Sequence, residues 1–366
     1  MPLAAFCTDI PEFHGGRIFD ADYAERFPGA AVFPAFAQAL RDLDWNVLTG
    51  DQVHESASDL RMDEVYVVQE ENSTTGQDLR ARGAIPALIL SGESPLYARD
   101  FYRHIGHLCG PFAHRILFTG AHAEAGHGGT NHPLLFPAFH ANQQPTFIPW
   151  SGRKHLALLA GNKYWRHAAV PWPQRLQRLF RERRERDYTV WLKDNQLHDR
   201  RLDLVAHFAA RRKIDVFGSG WERRGHLPST HQQALAPLEP AGASVDYGTK
   251  QSLLAHYRFT LTMENFTYPG YVTEKIFDAL AAGSIPVYLG APDIQSLVPK
   301  ETFIDMRDFP TVAKLEAFLD NFDEAAATKM IGSGRHFLAS TQGQQHTFED
   351  RGRFFAELLV NVAASR

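Results

Sequence analysis

Between Tyr257 and Ile294 the chain spells out one strand–loop–helix–strand unit. The apolar run Tyr257-Arg258-Phe259-Thr260-Leu261-Thr262-Met263 predicts a strand. The run Ile276-Phe277-Asp278-Ala279-Leu280-Ala281-Ala282-Gly283 predicts a helix, with Thr273 at its N-cap position. Ser284 to Ile294 predicts a second buried strand ending in a Gly/Pro turn. Two strands joined through a helix form a βαβ unit, which commits the chain to a parallel sheet with helices on its faces. Ligands of such sheets bind at the carboxyl ends of the strands. The polar segment Glu264-Asn265-Phe266-Thr267-Tyr268-Pro269-Gly270-Tyr271-Val272 falls in that place. A helix N-terminus beside it offers unpaired N–H groups and a positive dipole end, which suit an anionic phosphate. Lys275 in the first turn opposes the helix dipole, and a bound phosphate would account for it. The alternative is an ordinary solvated helix start containing Glu274 and Lys275.

At 366 residues the chain exceeds one ordinary core and fits two domains. A hydrophobic fraction of 44% and a charged fraction of 22% are those of a soluble globular protein. The net charge of −4 leaves no basic surplus that demands nucleic acid or an anionic membrane. The run Arg181-Glu182-Arg183-Arg184-Glu185-Arg186 mixes both signs and reads as an exposed helix face. Cys7 and Cys109 give no disulfide framework and no CxxC metal pattern, which suits a reducing compartment. The N-terminus lacks a signal-peptide pattern, and no apolar segment approaches the roughly 18 residues that span a bilayer. The expected setting is a bacterial cytoplasm, with peripheral membrane association as a variant. A chain trimmed of a membrane anchor would read the same.

Helix and strand patterns alternate along the first third. Strands are expected at Trp45–Leu48, Glu64–Val68, Ile85–Leu90 and His114–Phe118, with helices between them. A further strand precedes Gly161-Asn162-Lys163, helices follow over Pro173–Asp187 and Asp199–Arg211, and Lys213–Gly218 is another strand and turn. The expected organisation is an α/β domain over 1–150, a second over 151–345, and a C-terminal helix in 346–366 that packs back on the first. The Gly/His loop from Gly120 to His132 is the main flexible candidate. Its His122, His127 and His132 have no carboxylate or helix to fix metal geometry, so a solvated or acceptor-contacting loop is expected there. Two α/β domains with a phosphate-suited helix N-terminus point to a nucleotide-dependent transferase, and pattern alone goes no further.

The block from Tyr257 to Asp305 resembles the signature of the α1,3/α1,4-fucosyltransferases, glycosyltransferase family 10. The residues that carry it are Glu264-Asn265, Gly270-Tyr271-Val272-Thr273-Glu274-Lys275-Ile276, Ile285-Pro286-Val287-Tyr288-Leu289-Gly290-Ala291-Pro292 and Phe303-Ile304-Asp305. Glu93-Ser94-Pro95 resembles the family's Glu-Ser-Pro motif of the acceptor domain. Gly161-Asn162-Lys163 resembles its Ser-Asn-Lys turn, with Gly161 in place of the Ser. Arg201, a helix and then Ile214-Asp215-Val216-Phe217-Gly218-Ser219-Gly220-Trp221 resemble its Arg-helix-Asp-Leu-Tyr-Gly-x-Gly-Trp segment. The resemblance holds from about Arg153 to Pro310 and thins before Pro86 and after Pro310.

The resemblance implies a GT-B fold, two Rossmann-like domains facing each other across a cleft. It implies GDP-fucose bound by the C-terminal domain and an acceptor oligosaccharide held by the N-terminal one. Transfer would invert the anomeric centre, by default onto N-acetylglucosamine in a lactosamine-type unit with an α1,3 linkage. No cofactor is implied beyond the donor, and a divalent metal is at most stimulatory. Glu93 matches the general base; its alternative is a helix N-terminal residue serving the dipole. Arg201 and Lys275 match phosphate-binding positions, with Arg200 the competing arginine. Glu274 matches an acceptor of donor hydroxyl bonds, and Asn265, Tyr271 and Asn162 match other donor contacts. Glu264 is either a site residue or structural, and Lys250 either reaches the donor or is solvated. Two rivals stay open, a GT-B transferase using another nucleotide sugar and an inactive carbohydrate-binding relative.

Overall fold

Every strand pairing within the two sheets of the computed structural model is parallel. The structure describes residues 1–27, 29–56, 60–141, 148–163, 186–239 and 247–366. Packing divides the chain into two units. One comprises Met1–Gln143, Pro269–Glu274 and Thr341–Arg366; the other comprises Gln144–Tyr268 and Lys275–Ser340. The division thus falls at 143/144 where the sequence suggested 150.

In the first unit, β1 (Leu3–Cys7), β2 (Asn46–Thr49), β3 (Val65–Glu70), β4 (Ile85–Leu90), β5 (His114–Leu117) and β6 (Thr130–Pro133) lie in the order β2-β1-β3-β4-β5-β6. β1 and β3 are buried on both faces, apart from the last residue of β3, which is why they read as apolar runs without alternation. The C-terminal helix Phe348–Ala364 packs on the helix Val32–Arg41. Gly352 makes the approach possible, because a Cβ there would lie 2.6 Å from the Phe36 nitrogen.

In the second unit, β7 (Lys154–Leu159), β8 (Ile214–Phe217), β9 (Tyr257–Met263), β10 (Ile285–Leu289) and β11 (Ile304–Asp305) lie in the order β11-β10-β9-β7-β8. Leu158, Val205, Phe208, Val216, Phe259 and Leu261 lie in its core. Both sheets are doubly wound and Rossmann-like, the two-sheet content of a GT-B chain. The helix expected over Pro173–Asp187 and the Arg/Glu run lie outside the described residues, except that Arg186 and Asp187 open the helix Arg186–Asn195. Among the described residues no helix is long and apolar enough to cross a membrane.

Candidate active site

In an open parallel sheet the ligand crevice lies where the strand order reverses. In the second unit that point is between β7 and β9, so the turns after Leu159 and Met263 frame it. After β7, the Ala160 nitrogen donates to the Phe217 carbonyl at 2.9 Å and the Asn162 nitrogen to the Ser219 carbonyl at 2.8 Å. Trp221 Nε1 donates to the Ala160 carbonyl at 2.8 Å. The turns after β7 and β8 are therefore zipped together, and Asn162 is buried in the seam.

After β9, the Glu264 nitrogen donates to the Leu289 carbonyl of β10 at 2.8 Å. Arg201 comes from the helix His198–Ala209 and is buried. Its Nη2 donates to the carbonyls of Met263 at 2.9 Å and Glu264 at 2.8 Å, and to Asn265 Oδ1 at 3.1 Å. Arg201 and Asn265 are thus brought together at the strand end. Arg201 is buried, whereas the neighbouring Arg200 is exposed. The Leu197 nitrogen donates to the Asn265 carbonyl at 3.0 Å, and the Thr267 nitrogen to the Asn195 carbonyl at 2.8 Å, so two helices hold this loop.

Lys275 stands in the first turn of the helix Glu274–Ala281, and its Nζ lies 3.3 Å from Glu264 Oε2. Glu264 is wholly buried. The charge that looked misplaced at a helix start is therefore met by a buried carboxylate of the same unit. That contact also gives Glu264 a role, as the counter-ion of Lys275. Burial and the nearby Glu264 charge push the Tyr288 phenol well above its ordinary range, and its oxygen accepts from the Ala291 nitrogen at 2.9 Å. Lys250 is mostly buried and lies 3.6 Å from Asp278, so it is an internal ion-pair member and not a solvated helix lysine.

The segment Pro269–Glu274 belongs to the first unit, a correction to its expected place in the second domain. The reason is local packing. The Gly120 nitrogen donates to the Pro269 carbonyl at 3.1 Å, and the Tyr271 ring stands edge-on to Phe118 with centroids 4.9 Å apart. Gly270 has φ +74, and a Cβ there would lie 2.6 Å from Thr119 Oγ1, so only glycine fits. Tyr271 is 1% exposed, its ring held in this contact, whereas Glu274 is half-buried.

Glu93 is exposed, on a bend just beyond β4. The Glu93 carbonyl accepts from Tyr102 Oη at 2.9 Å. The carboxyls that burial raises lie beside it. Burial lifts Glu70 above the usual carboxylate range despite a bond from Thr8. Burial, then the Glu70 charge, lifts Glu71 to about 8, with Glu93 adding to the effect. Glu70 ends a strand that the sequence marks only as apolar and Glu71 follows it, so no local pattern pointed to them.

The loop Gly120–His132, expected to be flexible, carries a strand at its end and a clamp in its middle. β6 pairs with β5 from Thr130 onward. Buried Arg115 donates to the carbonyls of Cys109 at 3.0 Å, Gly126 at 2.7 Å and His127 at 3.1 Å. The three histidines do not converge. His122 Nε2 lies 3.1 Å from the Leu117 carbonyl, His132 Nε2 lies 3.1 Å from His114 Nδ1, and His127 is exposed.

Residues 182–330 match the family described as glycosyltransferase family 10 (fucosyltransferase) C-term. An alpha-(1,4)-fucosyltransferase of Arabidopsis thaliana is 42% identical over 119 residues, 32% of this chain and 28% of that protein. The human alpha-(1,3)-fucosyltransferase 7 is 40% identical over 140 residues, 37% of this chain and 35% of that protein. The matched region thus spans about a third of these relatives. A crystal structure of an alpha1,3-fucosyltransferase with GDP is similar in fold, with a TM-score of 0.50 and 14% identity over 98% of this chain and 90% of that one.

Proposed function

We propose that the chain, whose residues 182–330 match the family described as glycosyltransferase family 10 (fucosyltransferase) C-term, transfers L-fucose from GDP-fucose to a hydroxyl of an acceptor glycan with inversion. The observation that carries this reading is the switch point between β7 and β9, where Arg201, Asn265, Lys275 and buried Glu264 form one bonded group. A nucleotide diphosphate needs cations and N–H donors at a strand end, and this group supplies them. Arg201 and Lys275 meet the charge that develops on the departing diphosphate, and the N-terminus of the helix Glu274–Ala281 adds its dipole. Lys275 does so while held by Glu264. Glu274 accepts from hydroxyls of the donor, while Asn162, Asn265 and Tyr271 make further donor contacts. These cations serve the leaving group without a required metal.

On the acceptor side, Glu93 is the general base. The acceptor oxygen forms a bond to the fucose anomeric carbon as the bond to the β-phosphate oxygen breaks. The hydroxyl proton passes to Glu93, and GDP leaves with the electron pair. The acceptor is proposed as N-acetylglucosamine of a lactosamine-type unit, joined through an α1,3 linkage. The relatives' names support the linkage class. Substituting Glu93→Gln tests the reading. GDP-fucose affinity should hold while kcat falls on the order of 100-fold or more. A variant that keeps near-normal turnover would remove Glu93 from the base role.

A further inference from the structure

The first unit has a switch point of its own, between β1 and β3. Around it lie Thr8 and Asp9 after β1, Glu70 and Glu71 at the end of β3, and Ser91 and Glu93 after β4. Glu71 has φ +48, a left-handed backbone that a glutamate keeps only when its surroundings hold it. Those surroundings are specific. The Glu71 nitrogen donates to the Leu90 carbonyl at 2.9 Å, and Gln69 Nε2 donates to the Glu71 carbonyl at 2.7 Å. Ser91 Oγ donates to Glu71 Oε1 at 2.9 Å and lies 3.4 Å from the Glu93 carbonyl. One hydroxyl thus stands between the Glu71 carboxyl and the main chain of Glu93. Ser94, the next residue, is fully buried, and its hydroxyl has no partner among the described residues.

We propose that Glu71 is a positioning residue for the transfer reaction, fixing through Ser91 the bend that carries Glu93. The inference rests on the reading of Glu93 as the base. The charge state of Glu71 fits the role. The groups that face it are Glu70, Ser91 and Glu93, with Thr8 and Asp9 acting on Glu70. Burial and these like charges keep its carboxyl protonated up to about pH 8. A neutral acid can stand beside Glu93 without repelling it. As pH rises past that point Glu71 ionises, like charge gathers under the bend, and the alignment of Glu93 weakens.

The test has two arms on the full chain. In the first, carboxyl carbons of 13C-labelled glutamate are titrated by NMR. One glutamate should titrate near pH 8, vanish in Glu71→Gln and shift downward in Glu93→Gln. The absence of such a group, or its indifference to Glu93→Gln, overturns the proposal whether or not the chain transfers fucose. In the second arm, kcat is followed against pH. The wild type should lose rate above about pH 8, and Glu71→Gln should lack that limb. Ser91→Ala should lower kcat about tenfold with the donor KM within about twofold, and Ser91→Thr should restore it. Thermal unfolding of each variant separates loss of fold from loss of alignment. A Glu71→Gln profile that superimposes on the wild type overturns the proposal. A wild type that titrates as expected but uses another donor overturns the fucosyl reading instead and leaves the Glu71–Glu93 coupling standing.

Discussion

Glu264 and Lys275 carry opposite charges out of most solvent contact, so removing one leaves the other exposed to the full penalty of burial. Lys275→Ala is expected to weaken GDP binding and to strand the Glu264 carboxylate. Glu264→Ala should destabilise the chain by about 3 kcal/mol, read from urea unfolding. A loss below about 1 kcal/mol would mean that the pair is solvated and that Lys275 needs no anchor. Gly270→Ala is the sharpest steric probe, since it adds a methyl 2.6 Å from Thr119 Oγ1 at a positive φ. It should cost roughly 1–3 kcal/mol in the same assay. At this scale the sequence pointed to Lys275 through its odd place at a helix start. The counter-ion was not legible, because Glu264 and Lys275 meet only when a strand end and a helix start are folded together. Glu71 was invisible for the same reason. Its neighbours Ser91 and Glu93 come from the segment just after the adjacent strand, and an isolated Glu-Glu pair at the end of an apolar run looks like a solvated turn.

The C-terminal helix Phe348–Ala364 illustrates how an element is tied down. His140 Nδ1 lies 2.8 Å from Glu349 Oε1 and its Nε2 lies 3.2 Å from Glu25 Oε1. The bond to Glu349 holds the His140 imidazolium above its ordinary range. A raised folded value means that this anchor contributes fully below about pH 6.5 and is lost as pH climbs through the folded value. His346, just before the helix, behaves oppositely. Burial pushes it down to about 4, so the unfolded chain takes up its proton first and stability falls as pH drops from 6.5 toward 4. Melting temperature against pH should therefore show a His140 limb on the alkaline side that His140→Gln removes, and an acid limb that it leaves in place. Gly352→Val should lower the melting temperature at every pH, because the helix cannot then approach Phe36. Helix and strand positions were largely legible where periodicity was strong, as at Tyr257–Met263 and Ile85–Leu90. β1 was not, since its Ala-Ala centre has little strand propensity and no alternation. β6 was hidden inside a Gly/His run, and the Arg115 clamp that holds it comes from another strand.

For the whole molecule, alternating strand and helix patterns were enough to give two parallel α/β sheets. The return of the C-terminal helix to the first unit was expected from its amphipathic pattern, but the return at Pro269–Glu274 was not. That return depends on tertiary contacts such as Tyr271 on Phe118, which leave no local signal. Each unit contributes a switch point with its own chemistry, cationic in the second and acidic in the first. This division suits a transferase that binds an anionic donor and deprotonates an acceptor. The central claim is the donor, and calorimetric titration of the purified chain tests it most directly. GDP-fucose, GDP-mannose and UDP-galactose would be compared with EDTA present. Selective binding of GDP-fucose in EDTA is the predicted result. Tight binding of UDP-galactose with none of GDP-fucose would contradict it.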